Sequence, residues 1–158
     1  MAELYTREDL LAALEYERAA LLAVLPRFSD EQWRAVARSD GWTAHDIAAH
    51  LADANYGLAL MALGELQPPL RFDERSGWMA GLDDYNQQRR ERNAALPREK
   101  VLSRSTKALD EGRRAIETVE DFDAPGPYGP AHTRRQWLQR IVLHTREHRR
   151  DLERLLGP

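Results

Sequence analysis

Cysteine is absent from the 158 residues, which excludes disulfide staples, thiolate metal ligands and a thiol nucleophile supplied by the chain itself. Any thiol chemistry has to come from a second molecule. No stretch approaches the roughly 20 apolar residues of a membrane span. The N-terminal MAELYTREDL carries acidic residues where a secretory signal needs positive charge and then an apolar run. A cytoplasmic location without membrane attachment is the expectation. Excess positive charge is also missing: 23 basic residues, nearly all arginine, stand against 26 acidic ones for a net charge of −3. That balance offers no concentrated field for nucleic acid. No serine occupies a nucleophile elbow, so a nucleophilic triad has no support. Neither an internal repeat nor a linker divides the chain, and residues 1–158 read as one domain, long enough to bury a core without covalent staples.

Strand signals are scarce, whereas helix punctuation is frequent. Thr6 with Asp9 opens a first amphipathic segment bearing Leu10, Leu14, Leu21 and Leu25, which Pro26 stops. Ser29 with Gln32 opens a short connector, Asp30 to Ala37, whose Trp33 is placed to plug one end of a helix bundle. Thr43 with Asp46 starts helix two, where Ile47, His50, Leu51, Ala54, Leu58 and Met61 recur at helical spacing until Gly64. The segment ELQPPLRFDERSG then reads as a crossover loop, Trp78 to Leu96 as a crossover helix, and the run beyond Pro97 as helix three. DFDAPGPYGPAH, rich in proline and glycine, reads as a second loop. Thr133 with Gln136 caps the last helix, which carries Trp137, Ile141, His144, His148, Leu152 and Leu155 on one stripe. The pattern predicts an all-α fold of four long helices with a long crossover between the second and third.

Three of the five histidines fall on these apolar stripes. His144 and His148, four residues apart, are offset by only about 40° around a helix axis and project from one face a turn apart. Packing that face against the stripe of His50 would bring a third imidazole to the pair and leave coordination positions open, as in a catalytic metal site. Each histidine also has a plainer reading. A lone His50 is compatible with a hydrogen-bonded core residue, and i, i+4 histidines also arise by chance. What favours a metal is the cost of burying three imidazoles among Ile, Leu and Trp without polar partners. His45, in the first turn of helix two, is expected at the surface, and His132 reads as a solvated residue on a loop that can form a pocket rim. Asp53 can orient an imidazole or act as a base on metal-bound water. Arg146, Glu147 and Arg149 lie off the stripe and suggest a charged outer face, while Trp42, Trp78 and Trp137 suggest core or rim packing.

GWTAHDIAAHL resembles the Trp-Thr/Ser-x-x-Asp-x-x-x-His-Leu signature that opens helix two in the DinB-like, YfiT-like superfamily, which includes the N-terminal domain of mycothiol-dependent maleylpyruvate isomerase. The C-terminal His-x-x-x-His completes the likeness, which extends over essentially the whole chain. The resemblance implies a four-helix bundle with metal ligands from helices two and four, and carries the ligand roles onto His50, His144 and His148. Members with glutamate at the first helix-four ligand use a carboxylate there, and this chain does not.

The resemblance further implies a divalent ion, and a set of three imidazoles suits zinc or nickel ahead of iron or cobalt. It also implies a transferase or isomerase that lowers the pKa of an external low-molecular-weight thiol, such as mycothiol or bacillithiol, for attack on an electrophilic substrate. Two alternatives stay open. One is a metal-dependent hydrolase assisted by Asp53; the other is a noncatalytic, metal-stabilised, homodimeric stress or binding protein.

Overall fold

The computed structural model describes residues 4–157, and among them the chain is mostly helical. The long helices are α1 (Arg7–Val24), α3 (Ala44–Ala62), α5 (Arg98–Thr118) and α6 (Arg134–Leu156), with shorter α2 (Asp30–Ala35) and α4 (Leu82–Asn93) between them. Four of the six start in a complete capping box. Thr6, Ser29, Thr43 and Thr133 each accept a bond from the backbone N–H three residues on, and Asp9, Gln32, Asp46 and Gln136 reach back to the cap. Each such cap is typically worth about 1 kcal/mol, so the helix starts are fixed by local chemistry before any packing.

Packing then arranges the helices. α3 lies against both α5 and α6, and α1 lies against α6 and α5. At Gly112 in α5 a Cβ would stand 3.1 Å from Ile141 Cγ2, so the missing side chain lets α5 approach α6 closely. α3 is buried around much of its circumference, from Ala44 and Ile47 through Leu51 to Leu58 and Met61. α2 seals one end: Trp33 is 1 % exposed and meets Phe28 and His45 edge-on, at centroid distances of 6.0 and 5.9 Å.

Two short hairpins replace the expected loops. β1 (Phe72–Asp73) pairs antiparallel with β2 (Trp78–Met79) inside the crossover, so Trp78 begins a strand and not a helix. The crossover helix, α4, starts only after Gly81, whose φ of 70° is a left-handed conformation that disfavours side chains. β3 (Pro125–Gly126) pairs with β4 (Gly129–Thr133), which runs straight into the cap of α6. Phe72, Trp78, Tyr128 and Trp137 stack between the hairpins, with Trp78 and Trp137 at 5.2 Å. Cross-strand aromatic packing of this kind, and not strand propensity, accounts for such short pairings.

The expected charged face on α6 is also different. Glu17 of α1 is fully buried and takes hydrogen bonds from Arg149 Nε (2.9 Å) and Nη2 (3.1 Å) and from Arg146 Nε (2.9 Å). Only Glu147 of the three residues keeps a largely exposed side chain. Burial opposes ionisation of Glu17, but the hydrogen bonds and charges of Arg149 and Arg146 outweigh it and hold its carboxyl below the usual range. α1 covers this side of α6, so its arginines are part of the interior.

Candidate metal centre

α3 and α6 bring His50, His144 and His148 together. His144 Nε2 lies 3.3 Å from His50 Nε2 and 3.1 Å from His148 Nε2, and one ligand nitrogen from each ring falls within 4.8 Å of the others. Four-coordinate zinc, with nitrogens at 2.0–2.1 Å, requires neighbouring nitrogens about 3.3 Å apart. The spacing therefore fits one shared ion.

Proton positions support the same fit. Thr145 donates its hydroxyl to the Ile141 carbonyl (2.8 Å), which leaves its oxygen to accept from Asn55 Nδ2 (2.7 Å). Asn55 Oδ1 is thereby turned toward His144 Nδ1 (3.1 Å), and that ring nitrogen carries the proton. His148 Nδ1 likewise donates to Asp151 Oδ2 (3.1 Å), a carboxylate that also takes bonds from Arg38 (2.8 Å) and Arg154 (2.7 Å). Both rings are thus left with Nε2 lone pairs that face each other, an arrangement relieved by a cation between them.

The electrostatics keep these rings neutral. Burial, followed by the charges of His148, Arg38 and Arg140, pushes His50 down to about 3. Burial and the neighbouring His148 and His50 set His144 well below its ordinary value. His148 is also lowered, by burial first, although Asp151 pulls the other way. Neutral imidazole is the metal-binding form. Trp42 meets His50 edge-on at 5.5 Å, and the guanidinium groups of Arg38 and Arg90 lie 5.7 and 5.2 Å from the Trp42 ring centroid. The three histidines open on a cavity of about 500 Å³, bounded also by α4 and β2.

The other candidates fall elsewhere. Asp53 lines the same cavity, but its carboxylate accepts from Asn93 Nδ2 (2.6 Å) and lies 3.7 and 3.8 Å from Arg89 and Arg104; among the described residues it bonds to no histidine. His132 is half-buried rather than solvated, packed edge-on against Trp78 at 5.0 Å and outside the histidine cluster.

His45 corrects the surface expectation outright. It is 1 % exposed, accepts from Trp33 Nε1 (2.9 Å) through Nδ1, and donates through Nε2 to the Asn93 carbonyl (3.0 Å). α2 covers the face of α3 that a single-stripe reading leaves to solvent. His45→Ala is therefore expected to destabilise the protein by about 2–3 kcal/mol, through an orphaned indole N–H and a lost packing contact, without lowering bound metal. Urea unfolding beside elemental analysis checks both halves; unchanged stability would contradict the structural role.

Sequence reasoning missed the residues behind the ligands. Asp151 had a signal, its i, i+3 spacing from His148, and Asn55 had another, an amide among the alanines and leucines of helix two. A family model described as the DinB superfamily matches residues 13–152. The chain belongs to the DinB superfamily. No curated protein and no solved structure gives a match. Among the described residues of this DinB-superfamily chain, no helix is long and apolar enough to cross a membrane.

Proposed function

We propose that this chain is a divalent-metal protein whose ion is held by His50, His144 and His148 and whose open coordination positions serve a thiol-dependent transferase or isomerase reaction. The observation that carries the reading is the convergence of three neutral imidazoles on the wall of a cavity large enough for a small molecule. In the same reading the four long helices form the four-helix bundle that the sequence resemblance implies. Zinc and nickel suit an all-imidazole donor set. A bound ion would supply Lewis acidity, lowering the pKa of a thiol or water brought to it. The chain's own residues prepare the place: Asn55 and Asp151 fix the tautomers, and Trp42 walls the site. The absence of cysteine makes the thiol a second molecule, of the mycothiol or bacillithiol type.

Metal analysis after identical zinc loading and gel filtration tests the first step. Wild type and His45→Ala are expected to carry one ion per chain, whereas His148→Ala should lose at least about 100-fold in affinity. Equal metal content in all three would sink the site. For the second step, the cobalt-loaded protein is expected to develop a sulfur-to-metal charge-transfer band on addition of mycothiol or bacillithiol. A cobalt spectrum indifferent to thiols would remove the thiol-dependent reading and leave the metal site.

A further inference from the structure

Four arginines line the cavity, and they are not equivalent. Arg38 grips Asp40 through Nε (3.0 Å) and Nη2 (2.7 Å) and also binds Asp151, while Arg90 binds Asp46 (3.0 Å) and the Gly41 carbonyl (2.9 Å). Arg89 faces Asp53 at 3.7 Å and stacks 5.3 Å from the centroid of Tyr85. Among the described residues Arg140 makes no hydrogen bond and faces Glu147 at 3.7 Å, with the two side chains 42 % and 57 % exposed, whereas the Arg89–Asp53 pair at the same distance is only 33 % and 19 % exposed. A pair as exposed and as long as that of Arg140 contributes about 0–1 kcal/mol. Arg140 is thus the cavity cation most available to a ligand.

Its position makes that availability informative. Arg140 stands one helical turn before His144, on the same face of α6, and lines the same cavity as the three histidines. A fixed guanidinium next to a site built for another cation is repulsive unless an anion lies between them. The acids of the cavity do not fill that role: Asp40, Asp46 and Asp53 are tied to Arg38, to Arg90, and to Asn93 with Arg89, and Asp83 is exposed at the rim. Farther along, the lining turns apolar through Leu58, Met61, Leu66, Pro69, Trp78 and Met79.

We infer that the cavity takes an amphiphilic carboxylate, its anionic head bound by Arg140 beside the three histidines and its apolar body lying toward Met61 and Trp78. The planar guanidinium fork suits a carboxylate. The inference deepens the metal-site reading, since it names the substrate class of the same cavity and draws on that reading for the charge next to Arg140.

Calorimetric titration with octanoate, octan-1-ol and acetate tests it on zinc-loaded protein and on protein treated with EDTA. Octanoate is expected to bind at least tenfold tighter than either control in both preparations. Arg140→Gln, a change at a part-exposed position, should abolish the preference for octanoate over octanol while leaving octanol affinity unchanged. Equal binding of acid and alcohol overturns the inference. A preference that survives Arg140→Gln and vanishes with EDTA also overturns it, placing the anion on the metal and leaving the metal site standing. A protein that takes up no zinc yet shows an Arg140-dependent preference supports the carboxylate site and removes the metal reading.

Discussion

Glu17→Ala is expected to destabilise the fold by about 3–5 kcal/mol, the cost of leaving buried charges without their partner. Small domains have only about 5–15 kcal/mol in total, so the variant should melt well below wild type. The reason lies in the asymmetry of buried ion pairs. Glu17 is fully buried, and Arg149 is 8 % exposed with two of its nitrogens on that carboxylate. Removing the carboxylate strands a guanidinium between α1 and α6, whereas Glu17→Gln keeps the shape and part of the bonding and should cost less. Urea unfolding followed by circular dichroism measures both. A loss below about 1 kcal/mol in the alanine variant would mean that water or Glu153, which already holds Arg149 at 3.0 Å, replaces the missing partner. Since Glu17 is held below its ordinary range, the stabilisation is present above the unfolded carboxylate pKa and is lost as pH falls through the folded one.

Glu17 also shows where sequence reading stops. It falls between Leu14 and Leu21 on the stripe that begins at Leu10, so a charge stood on a core face in plain view. Its partners could not be read, because α6 is more than a hundred residues away and its arginines look like an ordinary solvated face. The four capping boxes, by contrast, were legible because each is closed within four residues. The histidine cluster was legible for a related reason: an i, i+4 pair defines its own geometry, and only the docking of α3 onto α6 had to be supplied. His45 was misplaced because α3 is covered from more than one direction, which a single apolar stripe does not express. The two hairpins left almost no trace, their strands being as short as two residues and held by aromatic rings from both hairpins and α6.

Zinc affinity is expected to survive an acidification that would strip an ordinary three-histidine chelate. For imidazoles titrating near 6.5, moving from pH 7.5 to 5.5 costs each ligand about tenfold in competition with protons, roughly a thousandfold for three. Here burial dominates the shift in all three rings: His50 is pushed down to about 3, His144 well below its ordinary value, and His148 downward despite Asp151. Protons then hardly compete within that window, and the affinity of the folded protein should change by less than about tenfold. The fold bears the effect instead. Below about 6.5 the unfolded chain takes up protons that the folded one refuses, so stability falls as pH falls from the unfolded value toward the folded one. His50 alone contributes about 2 kcal/mol of loss between pH 7 and pH 5. Metal release should accordingly coincide with unfolding and not with titration of the ligands. Chelator competition at each pH, with circular dichroism on the same samples, separates the two. A thousandfold loss of zinc affinity while the dichroism stays native would show that these imidazoles titrate like exposed ones, and that the packing of α3 against α6 does not keep them neutral.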